Sequence, residues 1–220
     1  MRRHQRQKWT ASLAWVEHIS LLVCLPAVFL LLLRATSGQQ CATAVSAYSP
    51  ALEAVEYLDV KFNGSVYHQS IYKGQPNPEL DAAWDKLVFR TKPTPISSEI
   101  LHKLKKSDSP SLVKFPDEDG RGYHTTLELT HEIHCLNMLR KATYYEYYEA
   151  TDPAIQEGPV YYRLHLDHCI EMLRQRIMCT GDVGLITSHW VKGHKLPYPD
   201  FNTWHRCRNV DKIWAWNDEH

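Results

Sequence analysis

The chain has no net charge, no low-complexity tract and no uncharged apolar run of the length a bilayer requires. Its 220 residues carry 25 basic and 25 acidic side chains, so the formal charge is zero. The one local basic excess is terminal. Residues 1–34 hold Arg2, Arg3, Arg6, Lys8 and Arg34 against Glu17 alone, and the rest of the chain carries 20 basic and 24 acidic groups. With no cationic stripe in the body, nothing points to nucleic acid as a partner. The absence of low complexity and the length fit one medium-sized domain with an appendage. What is abundant is specific: 13 histidines and 7 tryptophans.

The uncharged apolar run from Ile19 to Leu33 has fifteen residues where roughly 20 are needed to span a bilayer. A basic tail precedes it, and Arg34 and "ATSGQQ" follow. A cleaved signal peptide is one reading. The long charged region before the run favours the other, an uncleaved signal anchor. The expected layout is a basic cytosolic tail over 1–18, a transmembrane anchor over 19–34, a stalk over 35–60 and the main domain over 61–220 in the secretory lumen. Asn63 opens an "NGS" glycosylation sequon. Cys41, Cys135, Cys169, Cys179 and Cys207 are disulfide candidates in such a compartment. Five is an odd number, so at least one stays free, binds metal or pairs with another chain.

The expected fold class is mainly α: a central helix hairpin dressed by short helices and extended arms, with the N-terminal anchor attached. "NPELDAAWDKLV" is a helix with Asn77 as its N-cap and Pro78 in its first turn. "SSEILHKLKK" is a second, shorter helix. "YLDVKFN" and "SVYHQSIY" are strands or an extended arm around "NGS". A long helix is expected from Thr125 to Glu149 and another from Pro159 to about Cys179. The tryptophan-rich segment that follows is expected to wrap the core, and "NVDKIWAWN" to dock as a last helix.

Those two long helices carry the informative pattern, "HEIHCLNMLR" from His131 and "HLDHCIEMLR" from His165. On a helix His131, His134 and Cys135 share one face with Met138. His165, His168 and Cys169 do the same with Met172. Four imidazoles are thereby expected at the interface of two helices, which is how bundles build metal sites. A duplicated structural helix pair would explain a repeat, but not why the repeated residues are histidines, which are awkward to bury without a partner. Four histidines with few carboxylates lean towards copper or zinc, and copper if the site is redox-active. Cys135 and Cys169 are either thiolate ligands or disulfide partners. His205 either completes the ligand set or lies beside a structural cysteine. Arg140 and Arg174 either orient a substrate or pair with acidic neighbours.

The two HxxHC motifs, with "YKGQPNPELDAAWDKL", "RGYHTTLELTHEIHCLNMLRK", "HLDHCIEMLRQRIMCTGDVG" and "HRCRNVDKIWAW", resemble the UstYa-like family of fungal proteins. The likeness covers about Phe62 to Trp216. It implies an oxidase of peptide mycotoxin biosynthesis that cyclises, desaturates, hydroxylates or chlorinates a peptide, in some cases a ribosomally made one. It also implies that His131, His134, Cys135, His165, His168 and Cys169 are the functional residues, and it makes a homo- or hetero-oligomer with a related oxidase plausible. Two other readings stay open: a zinc-dependent or structural metal protein, and a non-catalytic membrane-anchored partner of another oxidase.

Overall fold

The computed structural model describes residues 22, 24–30, 38–116, 120 and 122–220, with Gln39 and Cys41 described by backbone alone. It divides into two compact units, residues 1–56 and residues 57–220.

In the first unit, α1 (Gly38–Ala44) is followed by a 3-10 turn, Pro50–Ala54, capped by the Ser49 side chain. Leu22 and residues 24–30 are also helical. Among the described residues no helix is long and apolar enough to cross a membrane. That overturns the expected single-pass anchor over 19–34 and the secretory-lumen location drawn from it. The physical reason is length: the uncharged run is short, and extending it brings in Glu17 at one end and Arg34 at the other. Residues 1–18, 19–21, 23 and 31–34 of those expected segments lie outside the described residues.

The second unit is built on two long helices. Its elements in order are β1 (Tyr57–Lys61), α2 (Pro78–Val88), β2 (Thr94–Ile96), α3 (Ser98–Lys103), β3 (Tyr123–Thr125), α4 (Glu128–Ala142), α5 (Tyr145–Tyr148), α6 (Pro153–Gln156), α7 (Pro159–Thr180), β4 (Thr187–His189), β5 (Tyr198–Asp200), β6 (Trp204–Arg208) and α8 (Val210–Glu219). Helix α2 starts where sequence chemistry places it: Asn77 Oδ1 accepts from the Leu80 amide at 2.8 Å, and Pro78 occupies the first turn. Pro159 opens α7, and Gly181, at φ 53°, closes it in the left-handed conformation that suits glycine.

The extended arms differ from expectation. They pair as three two-stranded antiparallel sheets, β1 with β6, β2 with β3 and β4 with β5. Thus "YLDVKFN" pairs with the distant "WHRCR" rather than with "SVYHQSIY", which forms turns. Thr125, expected to begin a helix, ends β3 instead, and the Tyr144 region breaks α4 from α5. The segment expected to wrap the core does not. Val183, Leu185, Trp190 and Leu196 are each at least 77% exposed.

The main core lies between α4 and α7. Cys135, Met138, Tyr148, Ile155, Tyr162, Leu166 and Cys169 form one buried cluster. The small third side of the unit is closed by Asn217 of α8, which is fully buried. Its Oδ1 accepts from the Lys92 amide at 3.0 Å, and its Nδ2 donates to the Lys92 carbonyl and to Thr94 Oγ1. A buried amide with these partners anchors α8 onto the start of β2.

Candidate functional site

Helices α4 and α7 bring all four motif histidines together in crossed order. His131 faces His168, with ring centroids 5.3 Å apart, and His134 faces His165 at 5.5 Å. Within each helix the two rings are 6.5 Å and 6.4 Å apart, for α4 and α7 respectively. The crossed order follows from antiparallel helices: the first histidine of one motif must meet the second of the other. The closest approach is between Nε2 of His131 and Nε2 of His168, at 3.3 Å, where one ring donates and the other accepts.

The histidines form a rim and the cysteines a floor. Cys135 and Cys169 are fully buried, whereas His131, His134 and His165 are half-buried and His168 is exposed. The short cysteine side chains end within the helix interface, whereas the longer imidazoles reach its edge. Both cysteines are free thiols. Burial pushes the Cys135 thiol above its ordinary range, and burial together with the Cys135 neighbour pushes Cys169 up to about 12. Both therefore stay protonated near neutral pH. Cys135 Sγ lies 3.6 Å from His131 Nε2, so floor and rim are in contact. His134 is biased to its neutral form, first by burial and then by the facing His165 and His131.

Among the described residues no group of three or more His, Cys, Asp or Glu side chains is placed to hold a metal ion. The donors meet in pairs across the helices. Two imidazole nitrogens 3.3 Å apart are within the span of two bonds of about 2 Å to a shared ion. The donor chemistry suits copper or zinc, and the neutral state of His134 leaves a lone pair for a ligand.

Several candidates have other duties. Arg140 does not face the histidine rim. It donates to Asp81 Oδ1 at 2.8 Å, to Tyr148 Oη at 2.8 Å and to Asn137 Oδ1 at 2.9 Å, with its guanidinium over the Trp84 ring. It fastens α4 to α2. Arg174 pairs with Glu171 on its own helix. Glu132, between the two histidines of the first motif, reaches Arg176 of α7 at 3.0 Å and links the two motif helices. His205 contacts Thr203, Asp182 and Phe62 rather than the motif histidines. Asn63 is exposed, and its Nδ2 bonds to His68 Nδ1 at 2.9 Å. Sequence reasoning missed the Lys141–Asp152 pair at 2.7 Å. Asp152 caps α6 and is buried beside the site, and no residue spacing marks a contact between separate elements.

The family model for the mycotoxin biosynthesis protein UstYa matches residues 1–220 of the chain. The chain is 35% identical to the UstYa family oxidase aprY of Aspergillus flavus over 80% of its own length, and spans 56% of that relative. It is 29% identical to the UstYa family oxidase phomYc of Diaporthe leptostromiformis over 96% of its length and 83% of the relative's. It is also 30% identical to the transacylase cctO of Talaromyces islandicus over 84% of its length and 64% of the relative's. No solved structure matches the chain.

Proposed function

The chain belongs to the UstYa family, and on that premise we propose that it is an oxidase of a fungal secondary-metabolite pathway acting on a peptide intermediate. The observation that supports a redox site most directly is the crossed approach of His131 to His168 and of His134 to His165. The facing pair His131 and His168, one from each motif helix, would hold a copper ion, with His134 and His165 beside it; copper when bound supplies one-electron chemistry with dioxygen. The finer reaction we favour is oxidative cyclisation, with desaturation, hydroxylation or chlorination as its relatives in outcome.

The chain's own residues would do the rest. His134, kept neutral by burial and its imidazole neighbours, presents a nitrogen lone pair rather than a proton. Cys135 and Cys169 back the rim with buried, protonated thiols that exclude water from its underside. His168, the exposed member, marks the side from which a peptide can approach. A second copy of the chain, or a related oxidase, is the partner we favour; the exposed apolar residues from Ile177 to Leu196 support it.

The test is metal analysis and an oxygen-consumption assay with candidate peptides on purified protein. Full activity after metal removal, or full activity of His131→Ala plus His165→Ala, would rule the reading out. Bound zinc with no oxygen uptake would favour the zinc alternative instead.

A further inference from the structure

A second group of reactive side chains lies where the end of α7 meets β6. Thr203 Oγ1 is 2.8 Å from His205 Nε2, and His205 Nδ1 is 3.1 Å from Asp182 Oδ2. From His168 to Gly181 the chain runs the rest of α7, a rise of about 20 Å at 1.5 Å per residue, so this group is remote from the motif histidines. Three elements hold it in place. Thr203 and His205 are two positions apart in extended chain, which puts both on one face. The Thr203 carbonyl accepts from the Phe62 amide at 2.9 Å, and the Phe62 ring stacks on the imidazole with centroids 3.9 Å apart and planes 25° apart. Asp182 follows the left-handed Gly181, and its Oδ1 accepts from the Gly184 amide at 2.7 Å.

In the neutral form of His205 these partners set the direction of the hydrogen bonds. The Gly184 amide, with help from His205, holds the Asp182 carboxyl below its ordinary range, so it is ionised and can only accept. The neutral imidazole must then carry its proton on Nδ1, which leaves the Nε2 lone pair to receive the Thr203 hydroxyl proton. That is the order hydroxyl, imidazole, carboxylate by which a weak nucleophile is activated. The group is also reachable, since the His205 side chain is 21% exposed and that of Asp182 58% exposed.

We propose that Thr203, His205 and Asp182 form an acyl-transfer site with the Thr203 hydroxyl as its nucleophile. Thr203 Oγ attacks the acyl carbonyl while His205 Nε2 takes the hydroxyl proton. The carbon–leaving-group bond then breaks, the imidazolium returns that proton to the departing thiolate or alkoxide, and an acyl ester remains on Thr203. Water or an acceptor alcohol or amine releases it by the reverse sequence. Because Asp182 is open to water, its field on the imidazole is weakened. The substrate class is accordingly an acyl thioester or activated ester, which has a good leaving group, rather than an amide. The site is independent of the oxidase reading.

The test uses the full-length protein with p-nitrophenyl acetate, followed by nitrophenolate release and by peptide mapping in the mass spectrometer. The expected result is a burst with one acetyl group on Thr203, unaffected by a metal chelator. Thr203→Val, which keeps the side-chain shape, loses the burst and the label, Thr203→Ser keeps both, and Asp182→Asn slows labelling at least tenfold. Equal labelling in Thr203→Val, labelling confined to lysines, or an Asp182→Asn rate equal to that of the parent overturns the proposal. His131→Ala plus His165→Ala leaves labelling unchanged, so failure of the oxidase reading is recognised separately.

Discussion

Nε2 of His131 lies 3.3 Å from Nε2 of His168, so the first histidine of one HxxHC motif meets the second histidine of the other. Both rings reach solvent, His168 more than His131. Their loss should therefore cost little stability. We expect His131→Ala and His168→Ala to shift the melting temperature of metal-free protein by only a few degrees, while each weakens copper binding at least tenfold. Calorimetry and a competitive copper titration would check the two halves separately.

Arg140 is the opposite case. Its side chain is 11% exposed, and removing it leaves Asp81 without its cation and Asn137 Oδ1 without the guanidinium donor, although Tyr148 Oη still donates to Asp81 at 2.7 Å. Arg140→Ala should lower stability by about 2–4 kcal/mol, measured by urea unfolding. Lysine cannot reproduce the three-way fork, so Arg140→Lys should recover only part of the loss. Equal stability of Arg140→Ala and the parent would mean that the α2–α4 clamp contributes nothing.

Asn217→Leu should be comparably harmful, although leucine keeps the branched outline of the side chain. The Lys92 amide and carbonyl would lose their side-chain partners, and Thr94 Oγ1, in a buried residue, would lose its donor, at about 1–3 kcal/mol for a buried group left unpaired. Amide exchange at Lys92 offers a local readout: it should rise strongly in the variant.

These clamps show how far the sequence could be read. The histidine pattern, its helical face and even its crossed pairing follow from local spacing and from the direction of two adjacent helices. Arg140 was legible only as a charged repeat position, because its partner Asp81 lies 59 residues away. The same limit hid the pairing of β1 with β6, which joins Tyr57 to Arg208. Period and caps report on contacts within an element, and say little about which distant element supplies the other half. The depth of the site was also misjudged. Sequence places histidine and cysteine on one stripe, yet only the cysteines are buried.

The thiols offer a chemical test of that depth. Cys179 is exposed, whereas Cys135 and Cys169 are buried and held protonated. At pH 8 a disulfide reagent should modify Cys179 quickly and the motif pair only on the unfolding timescale. Absence of new thiols after unfolding without reductant would show instead that Cys135 and Cys169 are bonded to each other.

Acid should weaken the metal-free protein through His134. Its unfolded pKa is about 6.5 and its folded pKa is lower, first through burial. Between those values the unfolded chain binds more protons, so stability rises with pH. The penalty is complete below the folded value and vanishes above the unfolded one. The denaturation midpoint should fall between pH 7.5 and pH 5, less steeply in His134→Asn. An identical slope in the variant would assign the effect to other groups.

In the proposed oxidase the two motif helices share one redox metal site. Electron paramagnetic resonance of the copper-loaded protein tests it most directly, through the nitrogen couplings of the bound ion. Imidazole couplings should diminish when either His131 or His168, one from each helix, is replaced by alanine. Couplings that survive the double replacement unchanged would contradict it.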